Sequence, residues 1–230
     1  MKSALFLILC PFVVISALYS QSYPDGYIRQ YDQKFGSNKG LDDFWFNNPT
    51  QWDIFKIQGN YFLRHNKVTR PDIQAVALPC NRAILKNRVF GDFILEADVM
   101  PVTRGNAAAE ICLFVGLKDS TKYYFILLSA DPANEMEGIY LVKNSLLTKL
   151  PLLTSSSNRV IPNAWQKIRV ERNIVKRTIR VFLGNPEQLL MEVKDYELVM
   201  GSVGIGSLGN AVCFDNISIW APTMITDDTE

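Results

Sequence analysis

From residue 52 to residue 220, apolar side chains recur at every second position. That period, not the 3.6 of a helix, decides what this chain can fold into. Phe93, Leu95, Ala97 and Val99 share one face of a strand, and Ile94, Glu96, Asp98 and Met100 share the other. Ile111, Leu113, Val115 and Leu117 alternate in the next segment. Residues 123–129 are apolar at nearly every position, which predicts a strand covered on both faces. Ile168 and Val170 alternate with Lys167, Arg169 and Glu171, and Ile179, Val181 and Leu183 alternate with Thr178, Arg180 and Phe182. These two segments flank 173–177 and predict an antiparallel hairpin. Segments 203–207 and 212–220, separated by the turn Leu208-Gly209-Asn210, predict a closing pair. Helical stripes are missing; single helical turns are expected at 42–47 and 195–198. Many short antiparallel strands of this kind imply an all-β, two-sheet antiparallel jelly-roll sandwich.

The N-terminus is different. Lys2 precedes a nearly unbroken apolar run over residues 4–18, followed by small residues suited to cleavage near Ser20. That is the layout of a secretory signal peptide over residues 1–20. The run, roughly 15 residues, falls short of the about 20 that a membrane-spanning helix needs, so no transmembrane anchor is expected. Cys10 follows Leu9, where a lipid anchor would require a small residue. Residues 21–230 are expected to form one domain, with a core at about 40–221, exported to the periplasm or beyond the cell.

The chain carries 24 basic and 23 acidic residues, and the leader holds one Lys and no acid. The remainder is formally neutral, without the basic footprint that nucleic acid demands. Beyond the leader stand Cys80, Cys112 and Cys213, an odd number that allows at most one disulfide. His65 is the only histidine, and no CxxC or Cys/His spacing suggests zinc. The cysteines are expected as small buried strand residues.

Trp165-Gln166-Lys167-Ile168-Arg169-Val170-Glu171-Arg172, followed by Thr178-Ile179-Arg180-Val181-Phe182-Leu183-Gly184, resembles a hairpin of concanavalin A-like domains. Gly201-Ser202-Val203-Gly204-Ile205-Gly206-Ser207 and Phe214-Asp215-Asn216-Ile217-Ser218-Ile219-Trp220 resemble their closing strands. Phe90-Gly91-Asp92-Phe93-Ile94-Leu95-Glu96-Ala97-Asp98-Val99 resembles a strand found in laminin G-like modules, family 16-type glucanases and 3-keto-disaccharide hydrolase domains. In these relatives the fold handles glycans. The resemblance implies a concanavalin A-like jelly roll and a sugar-facing role.

Glu96 and Asp98, two apart on a strand, project from one face roughly 6–7 Å apart. Paired carboxylates at such distances serve glycoside cleavage. The glucanases that this strand resembles carry E-x-D-x-(x)-E, and here Val99, Met100, Pro101 and Val102 stand where the third acid would be. Resemblance also implies that Asp215 helps hold a structural calcium ion, with carbonyls and waters completing its shell. Sugar faces stack on aromatic rings, and Trp52 and Tyr124 are the candidates chosen from Trp45, Phe46, Trp52, Tyr61, Tyr123 and Tyr124. Arg104 and Asn106, in the loop after the Glu96 strand, would form a polar rim. Trp165 and Trp220 match positions that pack the sandwich in the resembled domains and are expected in the core.

The expectation is a secreted lectin-like domain that binds a poly- or oligosaccharide without a complete catalytic set. Two alternatives remain: a glycoside-cleaving enzyme of keto-disaccharide hydrolase or glucanase type using Glu96 and Asp98, and an adhesive module with a protein partner. Fold alone does not choose among them. The surroundings of Glu96 and Asp98 decide.

Overall fold

The computed structural model describes residues 23–66, 81–103, 109–184 and 188–223. Residues 1–20, expected as a signal peptide, together with Cys80, Arg104 and Asn106, lie outside the described residues. Among the described residues sixteen strands run in chain order. The first eight are Tyr27–Gln33 (β1), Phe44–Phe46 (β2), Trp52–Ile57 (β3), Asn60–His65 (β4), Asn81–Leu85 (β5), Phe93–Val102 (β6), Glu110–Asp119 (β7) and Lys122–Ser129 (β8). Next come Gly138–Lys143 (β9), Leu146–Lys149 (β10), Thr154–Ser155 (β11) and Gln166–Asn173 (β12). Thr178–Leu183 (β13), Gln188–Lys194 (β14), Ser202–Ser207 (β15) and Ala211–Pro222 (β16) complete the set.

They form two antiparallel sheets. The first, of nine strands, runs β11-β14-β13-β12-β6-β16-β4-β3, with β1 also along β16. The second, of seven, runs β10-β9-β8-β7-β15-β5-β2. Leu95, Val99, Val170, Val181, Phe214 and Ile219 of the first sheet meet Leu113, Ile126, Ile139 and Ile205 of the second in one apolar core. The period-two reading therefore holds, as does the hairpin: β12 pairs β13 from Ile168↔Leu183 to Asn173↔Thr178.

Two expectations change. Segments 203–207 and 212–220 are not partners: β15 lies between β7 and β5 in the second sheet, while β16 lies in the first. The turn between them crosses the sandwich, held by Ser207 Oγ donating to the Asn210 carbonyl at 2.6 Å and Asn210 Oδ1 accepting the Glu110 N–H at 3.2 Å. The helical turns also fall elsewhere. Short 3-10 turns occupy Asn38–Leu41 and Pro49–Gln51, residues 44–46 form β2, and 195–198 are irregular.

β8 is covered on both faces, as the run 123–129 predicts. Tyr124, Ile126 and Leu128 face the core between the sheets. Tyr123, Phe125 and Leu127 join Cys112, Phe114, Tyr140 and Val142 in a second buried cluster. Among the described residues no helix is long and apolar enough to cross a membrane.

Gly206 shows how closely β15 and β5 approach. A Cβ there would stand 1.9 Å from the Asn81 carbonyl oxygen, a backbone atom that cannot yield. Gly206→Ala is expected to destabilise the fold by about 2 kcal/mol or more, read as a lower urea midpoint with unchanged slope.

Candidate functional site

Glu96 and Asp98 do stand on one face of β6, the face turned away from the core, but the structure gives them different tasks. Glu96 is 5% exposed, opposite Arg169 on β12. Its Oε1 accepts Arg169 Nη1 at 3.0 Å, and its Oε2 accepts the Tyr23 hydroxyl at 2.9 Å. Arg169 also pairs with Glu171, which pairs with Arg180, which reaches Glu192. Tyr23 stacks on Trp220 at 3.9 Å and closes this region from above. A carboxylate so enclosed is not offered to a sugar. Glu96 as a catalytic group is corrected to a member of a buried charge ladder.

Asp98 lies one step beyond the ladder, between Lys167 of β12 and Asp215 of β16. Asn216 Nδ2 donates to Asp98 Oδ2 at 2.7 Å. Asp215 accepts Asn60 Nδ2 at 3.0 Å and the Asn216 backbone N–H at 2.8 Å. Both Asp215 oxygens thus face N–H donors, and no group of three or more ligating His, Cys, Asp or Glu side chains exists among the described residues. These residues do not fit a calcium ion, which wants six to eight oxygens. Burial first, and the Asp98 charge after it, raise the Asp215 carboxyl above its ordinary value.

The two aromatic candidates are core residues. Trp52 is 5% exposed, between Phe46 at 5.3 Å and His65 at 5.0 Å. Tyr124 is fully buried; its hydroxyl donates to Asp195 and accepts the Leu198 N–H at 3.0 Å. Each ring faces its neighbours across the sandwich, so neither meets a ligand.

What Asp98 does border is a cleft of about 600 Å³ lined also by Trp165, Lys167, Asn158, Arg159 and Gln188. Trp165, expected in the core, is 41% exposed here. Its ring rests edge-on against Phe62 at 5.4 Å, which packs on Phe55 at 5.8 Å. The Arg64 guanidinium covers Phe55 at 3.5 Å and is gripped by Asp53 at 2.7 and 3.0 Å. The cleft wall is equally fixed. Gln166 donates to the carbonyls of Ile161 and Ala164 and accepts the Ile161 N–H, pinning the loop before β12. Asn158 Nδ2 donates to Gln188 Oε1, and Arg159 pairs with Glu137 at 3.4 Å. Among the described residues Lys167 has no ion pair and Asp98 Oδ1 accepts no hydrogen bond. A flat indole, one carboxylate oxygen, one ammonium and two amides therefore converge on a rigid cleft. Parity was the signal for Trp165: it shares odd numbering with Lys167 and Arg169, opposite to the inward Ile168 and Val170.

The architecture is the concanavalin A-like jelly roll. The carbohydrate binding module CBM66 from Bacillus subtilis superposes with a TM-score of 0.55 at 12% identity, over 77% of this chain and 94% of that one. Domain 4 of AbnA, a GH43 extracellular arabinanase from Geobacillus stearothermophilus solved with arabinotriose, gives 0.54 at 10%, over 86% and 94%. Lectin I from Ulex europaeus, solved with the methyl glycoside of α-L-fucose, gives 0.52 at 15%, over 85% and 98%. No protein-family profile matches the sequence, and no curated protein does.

Two outcomes follow. Arg169→Met removes the counter-charge of buried Glu96 and is expected to cost about 3–5 kcal/mol, while the double variant Glu96→Leu/Arg169→Met costs clearly less; chemical denaturation measures both. Ionising Asp215 is harder in the folded chain than in the unfolded one. Its stability penalty therefore sets in above the ordinary carboxylate value of about 4 and is complete above the raised value. Asp215→Asn is expected to flatten the fall in stability as pH rises above about 4, measured by urea unfolding at each pH.

Proposed function

We propose that this chain is an exported, non-catalytic carbohydrate-binding domain whose sugar site is the Trp165 cleft. The observation that carries this reading is an exposed indole, braced from behind by Phe62, in a cleft with Asp98, Lys167, Asn158 and Gln188. A pyranose or furanose ring lies its C–H face on Trp165, while the polar groups bond its hydroxyls. Pinning of the 161–164 loop supports the same reading, because a wall already ordered loses little freedom on binding. Three solved proteins of this fold bear names or ligands concerned with sugars, which agrees with it. Export rests on the apolar leader and the small residues after it.

Glycoside cleavage through Glu96 and Asp98 finds no support, since Arg169 and Tyr23 occupy both Glu96 oxygens. A protein-binding role has one feature in its favour: exposed Ile28, Val89 and Met200 line a separate cleft of about 630 Å³.

Retention on affinity gels carrying arabinan, fucosylated glycans and other neutral polysaccharides tests the proposal. At least one is expected to retard the protein. Trp165→Ala is expected to weaken that binding by about tenfold or more, or about 1.4 kcal/mol, with little change in melting temperature. No retardation by any glycan, or retardation untouched by Trp165→Ala, refutes it.

A further inference from the structure

The second sheet carries an unused cation. On its outer side a cleft of about 380 Å³ is lined by Trp45 of β2, Arg82 and Ile84 of β5, Leu117 and Asp119 of β7, and Ser202 of β15. Trp45 is 50% exposed, directly across from Ile84 and opposite in facing to the inward Phe44 and Phe46. Arg82 is half-buried and its Nε is shielded from solvent, with no hydrogen-bond partner. Among the described residues its guanidinium has no ion pair. Asp119 in the same cleft is already engaged, its Oδ1 accepting both the N–H and the hydroxyl of Thr121 at 2.7 Å.

The Arg82 Nε–H, shielded from water and without an acceptor, carries a desolvation cost that an acceptor on a bound ligand would recover. The planar fork of arginine matches a carboxylate, with two parallel N–H donors meeting two oxygens. Beside it, Trp45 offers the flat apolar face that a sugar ring covers. β15 passes close beside β5 here: a Cβ at Gly204 would stand 2.4 Å from the Ile84 side chain, and one at Gly206 1.9 Å from the Asn81 carbonyl oxygen.

We propose that this cleft is a second ligand site that takes a uronic acid residue of an acidic saccharide. Arg82 donates to the carboxylate, the ring lies on Trp45, and Ser202 bonds a hydroxyl. The assignment stands apart from the Trp165 cleft, which is in the other sheet, so each site is lost or kept on its own variant.

The test titrates the protein with tetramers of galacturonate, mannuronate and glucuronate, the methyl-esterified galacturonate tetramer, and a sulfated galactan oligomer, following tryptophan fluorescence. At least one uronate tetramer is expected to bind, and for galacturonate about tenfold or more tighter than its ester, with affinity falling as salt rises. Arg82→Met is expected to remove that preference while the melting temperature holds or rises, since an unpaired half-buried charge is deleted. A purely structural arginine would lower it. Trp45→Ala weakens binding and abolishes the fluorescence change; Trp165→Ala leaves both intact. The proposal falls if no uronate tetramer binds, if the ester binds equally, if the sulfated oligomer binds tighter than every uronate, or if Arg82→Met leaves the affinity unchanged.

Discussion

The structure hangs on β16, alone among the described strands in serving three neighbours. It pairs with β6 along most of its length; on its other edge β4 takes the first half and β1 the second. Its apolar residues switch from even to odd positions partway along, and a regular strand would turn half of them outward. A bulge between Asp215 and Ser218 solves this by adding a residue. Before it the inward residues are Val212 and Phe214; after it they are Ile217, Ile219 and Ala221. The switch from even to odd leaves Asp215 and Asn216 together on the outside. Asn216 takes the left-handed conformation this requires, at φ 48°, which asparagine tolerates better than most residues. Asp98 is placed and oriented by that bulge.

On either side of Asp98 the outer face of the first sheet behaves oppositely. Toward β14, charges of alternating sign neutralise one another from Glu96 through Arg169, Glu171 and Arg180 to Glu192. Its Glu96 end is nearly dry and capped by the stack of Tyr23 on Trp220. Past Lys167 the ladder stops, and polar groups with unused bonding capacity surround an exposed indole. Cleavage needs two available carboxylates, whereas binding needs a platform and a few fixed polar atoms. The arrangement meets the second requirement alone.

Particular residues show where the sequence was legible. Alternation in residues 93–100 put Glu96 and Asp98 on one face, where they are. Parity with Lys167 and Arg169 could have marked Trp165 as outward, but the family resemblance placed it in the core, where it is not. Tyr124 was harder, because residues 123–129 are apolar on both faces and parity does not say which side meets solvent. Trp52 stands at the first position of its strand, with no earlier residue to set its phase. That Arg169 and Tyr23 would consume Glu96 was beyond reach, since both partners are 73 residues away.

By itself, then, the sequence determined the strands around residues 93–129, 166–183 and 203–220, most of their inward faces and the all-β class. Side chains alternate across any extended backbone whatever it later pairs with, so that information is local. Tertiary structure alone decided that β15 and β16 part into different sheets, that Glu96 is locked in a charge ladder, and that the Arg82 guanidinium has no ion pair among the described residues. Those outcomes depend on which distant surfaces meet, and on which polar groups spend their hydrogen bonds when they do.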